Sequence, residues 1–229
     1  MFNHVEVKLP DKPVSTIEKN GKRHYIIDGE ERSFPSVTTV IGHESEEFFR
    51  EWRKDPENRK ISAAATSRGN KYHSLVEKYL GNEEIDQDGD LFKYSKVHLN
   101  KINNIRALEV ALWGDLYEIL HDTYGRTMCK DFFGIAGRVD CIGEFDGTLS
   151  VIDFKTAKRP KEVSDIQNYF LQATCYSLLW ENLTGQPIEN GVIIMACEDK
   201  SCSVYEFKTK DYIRELIRVT KTYTKKYGR

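Results

Sequence analysis

Two apolar stretches of period two, residues 135–145 and 149–155, are joined by a turn at Asp146-Gly147, and this constrains the chain more than any other feature. Asp-Gly between such runs predicts a tight two-residue hairpin, because the favoured turn needs positive φ at both of its central positions. Pairing outward from the turn, residue by residue, sets Asp140 against Asp153 and Arg138 against Lys155. Opposed side chains hold their Cβ atoms about 5 Å apart, and residues two apart share a face. Asp140, Asp153 and Lys155 are therefore expected to point the same way. Asp153 lies between Val151-Ile152 and Phe154, a continuous apolar setting that suits a central strand buried on both faces. Two carboxylates at that distance repel unless one stays protonated or a cation lies between them. A hard divalent cation takes carboxylate oxygens and keeps room for waters and a substrate phosphate. A lysine one pleat away can then orient a water for in-line attack on a phosphodiester. An Asp-x-Lys on a surface strand means little by itself; the facing acid and the buried flanks are what point to chemistry.

Elsewhere the pattern alternates between the two periods. Residues 14–27 read as a hairpin around Asn20-Gly21, Asp28-Gly29 marks a break, and Ser36 is placed to cap a short helix. Helical patterns cover about 45–54 and about 58–80, and Tyr72, Leu75, Val76, Tyr79 and Leu80 in the latter form one apolar stripe. His73 sits about 20° past Leu80 on a helical wheel, at the edge of that stripe, where a histidine is ordinarily a satisfied boundary residue. Glu77 falls farther round and is expected to be exposed. An acidic loop at 83–90 precedes a helix over about 91–103 and a strand over 105–113, whereas 114–133 fits neither period. A helix over about 164–183 places Gln172 and Tyr176 on one face. A last hairpin, 191–198 with 203–208, is followed by a helix from near Thr209. The sum is one mixed α/β domain over 1–229, with a hairpin and helical part (1–104) and a sheet-containing core (105–229).

The 39% hydrophobic content is enough for a real core, and the net charge of −2 means any positive surface must be local. Lys158, Arg159 and Lys161 cluster, as do Lys221, Lys225, Lys226 and Arg229 at the end of the chain; a solvated face is the ordinary explanation of such runs. Cys129, Cys141, Cys175, Cys197 and Cys202 are odd in number and contain no CxxC pair, which argues against a disulfide framework or a zinc site and for a reducing compartment. The N-terminus has no apolar leader and no Arg-rich amphipathic segment. No run reaches the ~18 apolar residues of a membrane span.

Four separated motifs then stand in order: Arg68-Gly-Asn-Lys-Tyr-His73, Gly137-Arg-Val-Asp140, Ile152-Asp-Phe-Lys-Thr156, and Gln172 with Tyr176. Together they resemble the PD-(D/E)xK nuclease superfamily of the RecB type. With the stretch at 35–42, the likeness is nearest to the group of the mitochondrial genome maintenance exonuclease and its phage relatives. The resemblance implies a restriction-endonuclease-like core, with a central mixed sheet flanked by helices, and a helical part shaping a channel for single-stranded DNA. It implies His73, Asp140, Asp153 and the carbonyl of Phe154 as ligands of Mg²⁺ or Mn²⁺. Lys155 would orient the attacking water, and Gln172 and Tyr176 would support the site and touch the DNA backbone. Arg68, Lys71, Thr156 and Lys158 are candidate substrate contacts, and Glu109 on the preceding strand is a weaker candidate for the site. Phe48, Phe49, Trp52 and Tyr72 are candidate stacking platforms, with burial in the core as the ordinary alternative for each. Only Cys197 and Cys202 lie near one another, so no iron–sulfur cluster is expected, and 114–133 is longer than the group requires. The expected function is a metal-dependent exonuclease on single-stranded DNA or DNA ends, leaving 5′-phosphates and 3′-hydroxyls, in replication, recombination or repair. A monomer in the cytoplasm of a bacterium or phage-infected cell is the expected setting. A structure-specific or restriction-like endonuclease and a non-catalytic DNA-binding module are the alternatives.

Overall fold

A computed structural model describes every residue except 86–88, 117, 121–133 and 228–229. Part of the acidic loop, most of the unassigned stretch 114–133, Cys129 and Arg229 thus lie outside the described residues.

The N-terminal hairpin forms as its turn dictates. Strands β1 (Val14–Lys19) and β2 (Lys22–Ile27) pair from Lys19–Lys22 out to Val14–Ile27. Asn20 and Gly21 both have positive φ, 53° and 71°, as a type I′ turn requires. A short third strand, β3 (Phe34–Pro35), completes a small antiparallel sheet. Ser36 caps α1 (Val37–Gly42) by accepting the Thr39 N–H. Helices α2 (Glu46–Trp52), α3 (Pro56–Leu80) and α4 (Asp90–Leu99) follow. The last stops short of the expected 103 because β4 (Ile102–Gly114) has already begun.

Strands β5 (Ile135–Phe145) and β6 (Thr148–Ala157) make the central hairpin, with Asp146 and Gly147 at φ 46° and 80°. Helix α5 (Gln167–Thr184) crosses to β7 (Asn190–Cys197), which pairs parallel with β6. Strand β8 (Cys202–Lys208) and helix α6 (Ile213–Tyr227) end the chain. The five strands lie in sequence order, mixed in direction, so the fold is the expected α/β sheet flanked by helices.

One face of the sheet buries Val139, Val151, Ile193 and Met195 beneath α1, α5 and α6. The other buries Cys141, Ile152, Phe154 and Ile194 beneath α3 and α4. Strand β6 is therefore covered on both sides, which is why residues 151–154 are apolar apart from one aspartate. Tyr72 is 2% exposed and belongs to the second core, so it cannot act as a stacking platform. Phe48 and Phe49 are 65% and 45% exposed, so for them the core alternative fails: α2 buries no residue.

Candidate active-site cleft

The site begins with an irregularity in two adjacent strands. In a regular strand, residues two apart share a face, yet Val139 packs under α5 while Cys141 packs under α3. Strand β4 flips in the same way, between Val110 on the first face and Leu108 on the second. The residues at the two flips are Asp140 and Glu109, skipped together between the pairs Leu108–Cys141 and Val110–Val139. Glu109 has φ 52°, a left-handed conformation that costs a non-glycine residue about 1–2 kcal/mol.

The β5–β6 ladder matches the expected register from the turn out to Cys141–Ile152 and stops there. The anticipated pairs Asp140–Asp153 and Arg138–Lys155 are not formed. Instead the Asp140 carboxylate takes the place of a backbone acceptor: its Oδ2 receives the Phe154 N–H at 2.8 Å. The strands part at the site because a side chain has replaced one rung of the ladder.

The acids gather despite this. His73 Nδ1 lies 3.6 Å from Asp140 Oδ2 and 3.9 Å from Glu109 Oε1. One ligand atom from each of these three residues lies within 4.8 Å of the others, which makes them a candidate cation site. Asp153 is 1% exposed and forms an ion pair with Lys155; beyond that contact neither of its oxygens has a partner. Burial pushes the Asp153 carboxyl upward, Lys155 opposes this and Asp140 adds to it, with a net rise. Burial alone would lower the Lys155 ammonium, but the charges of Asp153 and Asp140 outweigh it and the net shift is upward. For His73 burial likewise favours the neutral ring, and Glu109 and Asp140 more than offset it. A buried, underpartnered carboxylate beside two further acids and an imidazole has the donor chemistry of a divalent cation site.

The cleft has three walls and a volume of about 640 Å³. Helix α3 contributes Gly69, Asn70, His73 and, at the exposed rim, Glu77. Helix α5 contributes Tyr169, Gln172 and Tyr176, which share one side of the helix. The Lys155 ammonium lies 5.1 Å from the Tyr169 ring centre, so the lysine is held by an anion on one side and a π face on the other. Tyr176 is 2% exposed, and its hydroxyl fills the space where a Cβ on Gly137 would stand, at 2.7 Å. This explains why a glycine opens the Gly-Arg-Val-Asp motif, and it makes Tyr176 a buttress rather than an exposed backbone contact. The third wall comes from the N-terminal sheet and β5, through Arg23, Tyr25 and Arg138.

The structure thus brings His73, Asp140, Lys155, Gln172 and Tyr176 to one cleft, with Phe154 joined through its N–H and Asp153 beneath through Lys155. It does not bring Arg68, Lys71, Thr156 or Lys158 there. Thr156 alternates away from Lys155 and accepts from Arg68 Nε at 3.4 Å. The Arg68 guanidinium is neutralised by Glu198. Arg68 and Lys71 line a different cavity, beside Phe92 and Tyr94, and Lys158 is exposed past the end of β6. Glu109 stands among the ligand candidates, while Tyr169 and Arg23 are members that sequence reasoning missed; Arg138 stood within the Gly-Arg-Val-Asp motif but was given no role in the site. Tyr169 was detectable, three residues before Gln172 on the same helix. Arg23 was not, because it lies far along the chain from every motif.

Comparison with known proteins fits this architecture. The pattern of the PD-(D/E)XK nuclease superfamily matches residues 43–221. The chain is 28% identical over 145 residues to mitochondrial genome maintenance exonuclease 1 of Homo sapiens, covering 58% of this chain and 37% of the relative. It is 24% identical over 219 residues to the protein of the same name from Mus musculus, covering 82% and 59%. The chain therefore spans less than two thirds of either curated relative. Among solved structures, SSO0001 is a partial likeness, with a TM-score of 0.48 and 16% identity over 86% of this chain and 78% of that one. Among the described residues, no helix is long and apolar enough to cross a membrane.

Proposed function

The chain belongs to the PD-(D/E)XK nuclease superfamily, and we propose that it is a divalent-metal-dependent deoxyribonuclease that digests single-stranded DNA from its ends. The observation that carries this reading is the convergence of His73, Glu109 and Asp140 beside the Asp153–Lys155 pair at the floor of an open cleft. His73, Glu109 and Asp140, with Asp153 and the carbonyl of Phe154 next to them, would hold Mg²⁺ or Mn²⁺. When bound, such a cation polarises the scissile phosphate and makes water a better nucleophile at neutral pH.

The chain's own groups do the rest. Asp140 and Asp153 turn their mutual repulsion into affinity for the cation. Lys155, fixed between Asp153 and the Tyr169 ring, orients the attacking water and offers its ammonium to the charge that develops on the phosphorane. Gln172 and Tyr176 keep α5 against β5, so that Asp140 stays in place. Attack with departure of the 3′-oxygen leaves a 5′-phosphate and a 3′-hydroxyl.

Single-stranded DNA labelled at either end, with Mg²⁺, with Mn²⁺ and with EDTA, tests the reading. Shortening in metal and none in EDTA is expected, as is inertness of circular single-stranded DNA, and a Lys155→Ala variant should lose at least about 100-fold in rate. Full cleavage by that variant, or cleavage in EDTA, refutes the assignment. Cutting of the circles replaces the exonuclease with an endonuclease.

A further inference from the structure

The cleft has cationic groups outside the proposed metal-binding and catalytic set. Arg23 on β2 and Arg138 on β5 both line it, and both are exposed. Among the described residues neither side chain makes an ion pair or a hydrogen bond. Glu18, paired with Arg23 across the β1–β2 ladder, does not neutralise it. This contrasts with Arg68, whose charge is taken up by Glu198, and with Lys71 and Lys158, which lie outside the cleft. Strand alternation aims the pair: Arg23 and Tyr25 line the catalytic cleft, while Lys22 and His24, on the opposite face of the same ribbon, line another. Lys22 is already engaged by Glu46 at 2.7 Å.

We propose that Arg23 and Arg138 form a phosphate clamp on the β2–β5 side of the cleft, holding DNA phosphates next to the scissile one. The clamp makes the N-terminal sheet part of the substrate site. This rests on the nuclease reading above. The chemistry is that of guanidinium groups, whose planar donors match phosphate oxygens in pairs and whose charge is not lost at any working pH. The floor of the cleft is acidic and the scissile phosphate needs a cation there, so backbone affinity must come from the walls. Besides the ligand candidate His73, helix α3 presents Gly69, Asn70, Ser74 and Glu77 to the cleft, none of them cationic, which leaves the β2–β5 side as the cationic wall. Arg138 follows Gly137, the residue pinned against Tyr176, so one half of the clamp stands on the rigid sheet and the other on the hairpin.

The test measures binding of a fluorescent single-stranded oligonucleotide by anisotropy, over a series of salt concentrations. Ca²⁺ replaces Mg²⁺ and the DNA is checked by gel for intactness. Each neutralised phosphate contributes about −0.7 to the slope of log affinity against log salt for a single strand. Arg23→Ala and Arg138→Ala should each flatten the slope by about that amount and weaken binding several-fold, with KM for cleavage raised more than kcat is lowered. Lys158→Ala should leave slope and KM within about twofold. Arg23→Lys and Arg138→Lys should keep the slope but bind more weakly than wild type, a split that a folding defect would not produce. Unchanged slopes in both alanine variants, alongside normal wild-type cleavage, overturn the clamp and leave the nuclease reading intact. Absence of metal-dependent cleavage by the wild type refutes the nuclease reading instead, and the salt slopes still decide whether the arginines bind DNA.

Discussion

Replacing Gly137 by alanine tests how two motifs far apart in the chain are joined. A Cβ at this position stands 2.7 Å from Tyr176 Oη, 2.8 Å from Tyr176 Cε1 and 3.0 Å from Val37 Cγ2. Ordinary carbon contacts lie at about 3.5–4.0 Å, so one side must give by roughly 0.5–1 Å. Tyr176 is 2% exposed and Val37 0%; neither can swing into solvent, and the shift falls on β5 against α5 and α1. Overpacking of this kind costs about 1–3 kcal/mol. For a chain of this length each kcal/mol moves Tm by about 2–4 °C, so a drop of about 4–8 °C corresponds to the middle of that range. Asp140 lies three residues along the same strand and holds the Phe154 N–H at 2.8 Å. The displacement therefore reaches the site, where a misplacement of about 1 Å can cost about 100-fold in rate. Calorimetry and end-labelled cleavage, run on Gly137→Ala, Tyr176→Phe and the double variant, measure both effects. Removing the hydroxyl takes away the nearest clash but leaves the ring carbon, so the double variant should recover part of the loss, with a coupling above about 0.5 kcal/mol. Wild-type Tm and rate in Gly137→Ala, or strictly additive losses in the double variant, would show that the Gly137–Tyr176 contact does not join the motifs.

Gly69 provides the contrast: it lies inside α3, and its added Cβ would find only Thr156 Oγ1, at 3.9 Å. Gly69→Ala should stabilise by about 0.5–1 kcal/mol, and a lower urea midpoint would contradict this. Asp140→Asn keeps an oxygen for the Phe154 N–H while removing one charge from the acid cluster. It should melt no lower than wild type in EDTA yet lose cleavage. Mg²⁺ or Mn²⁺ at about 100 times its Kd should stabilise wild type by about 2.7 kcal/mol, and the same metal shift in Asp140→Asn would refute its assignment as a ligand. Glu44 accepts two hydrogen bonds from Arg218, at 2.7 and 2.6 Å, which hold its carboxyl below the ordinary 4.5 despite an opposing effect of burial. A depressed acid stabilises above its unfolded pKa and loses that contribution as pH falls through the folded value. The pair is partly exposed and screened, so Glu44→Gln should cost at most about 0.5–1 kcal/mol at neutral pH, and urea midpoints of variant and wild type should converge in acid.

Much of the site was legible because its rules are local. Asp146-Gly147 can only turn one way, so the register followed from the turn out to Cys141–Ile152, and the apolar setting of Asp153 announced a buried charge. The edge position of His73 on its helix was also readable, although spacing alone left it an ordinary boundary histidine. What failed did so for a common reason: each feature depends on a neighbour distant in sequence. The ladder ends at Asp140 because a carboxylate replaces a backbone acceptor, and Glu109 enters because β4 flips at the same level as β5. Arg68 has the right chemistry for phosphate, but Glu198, distant in sequence just past β7, neutralises it. Arg23 comes into the cleft only because a separate small sheet packs there. Alternation, turn chemistry and burial pattern are properties of short segments, and from them the sequence by itself determined the hairpin, its buried acid and the lysine beside it. Which charges stand free and which are already paired is a property of elements brought together from afar, and only the tertiary structure decided it.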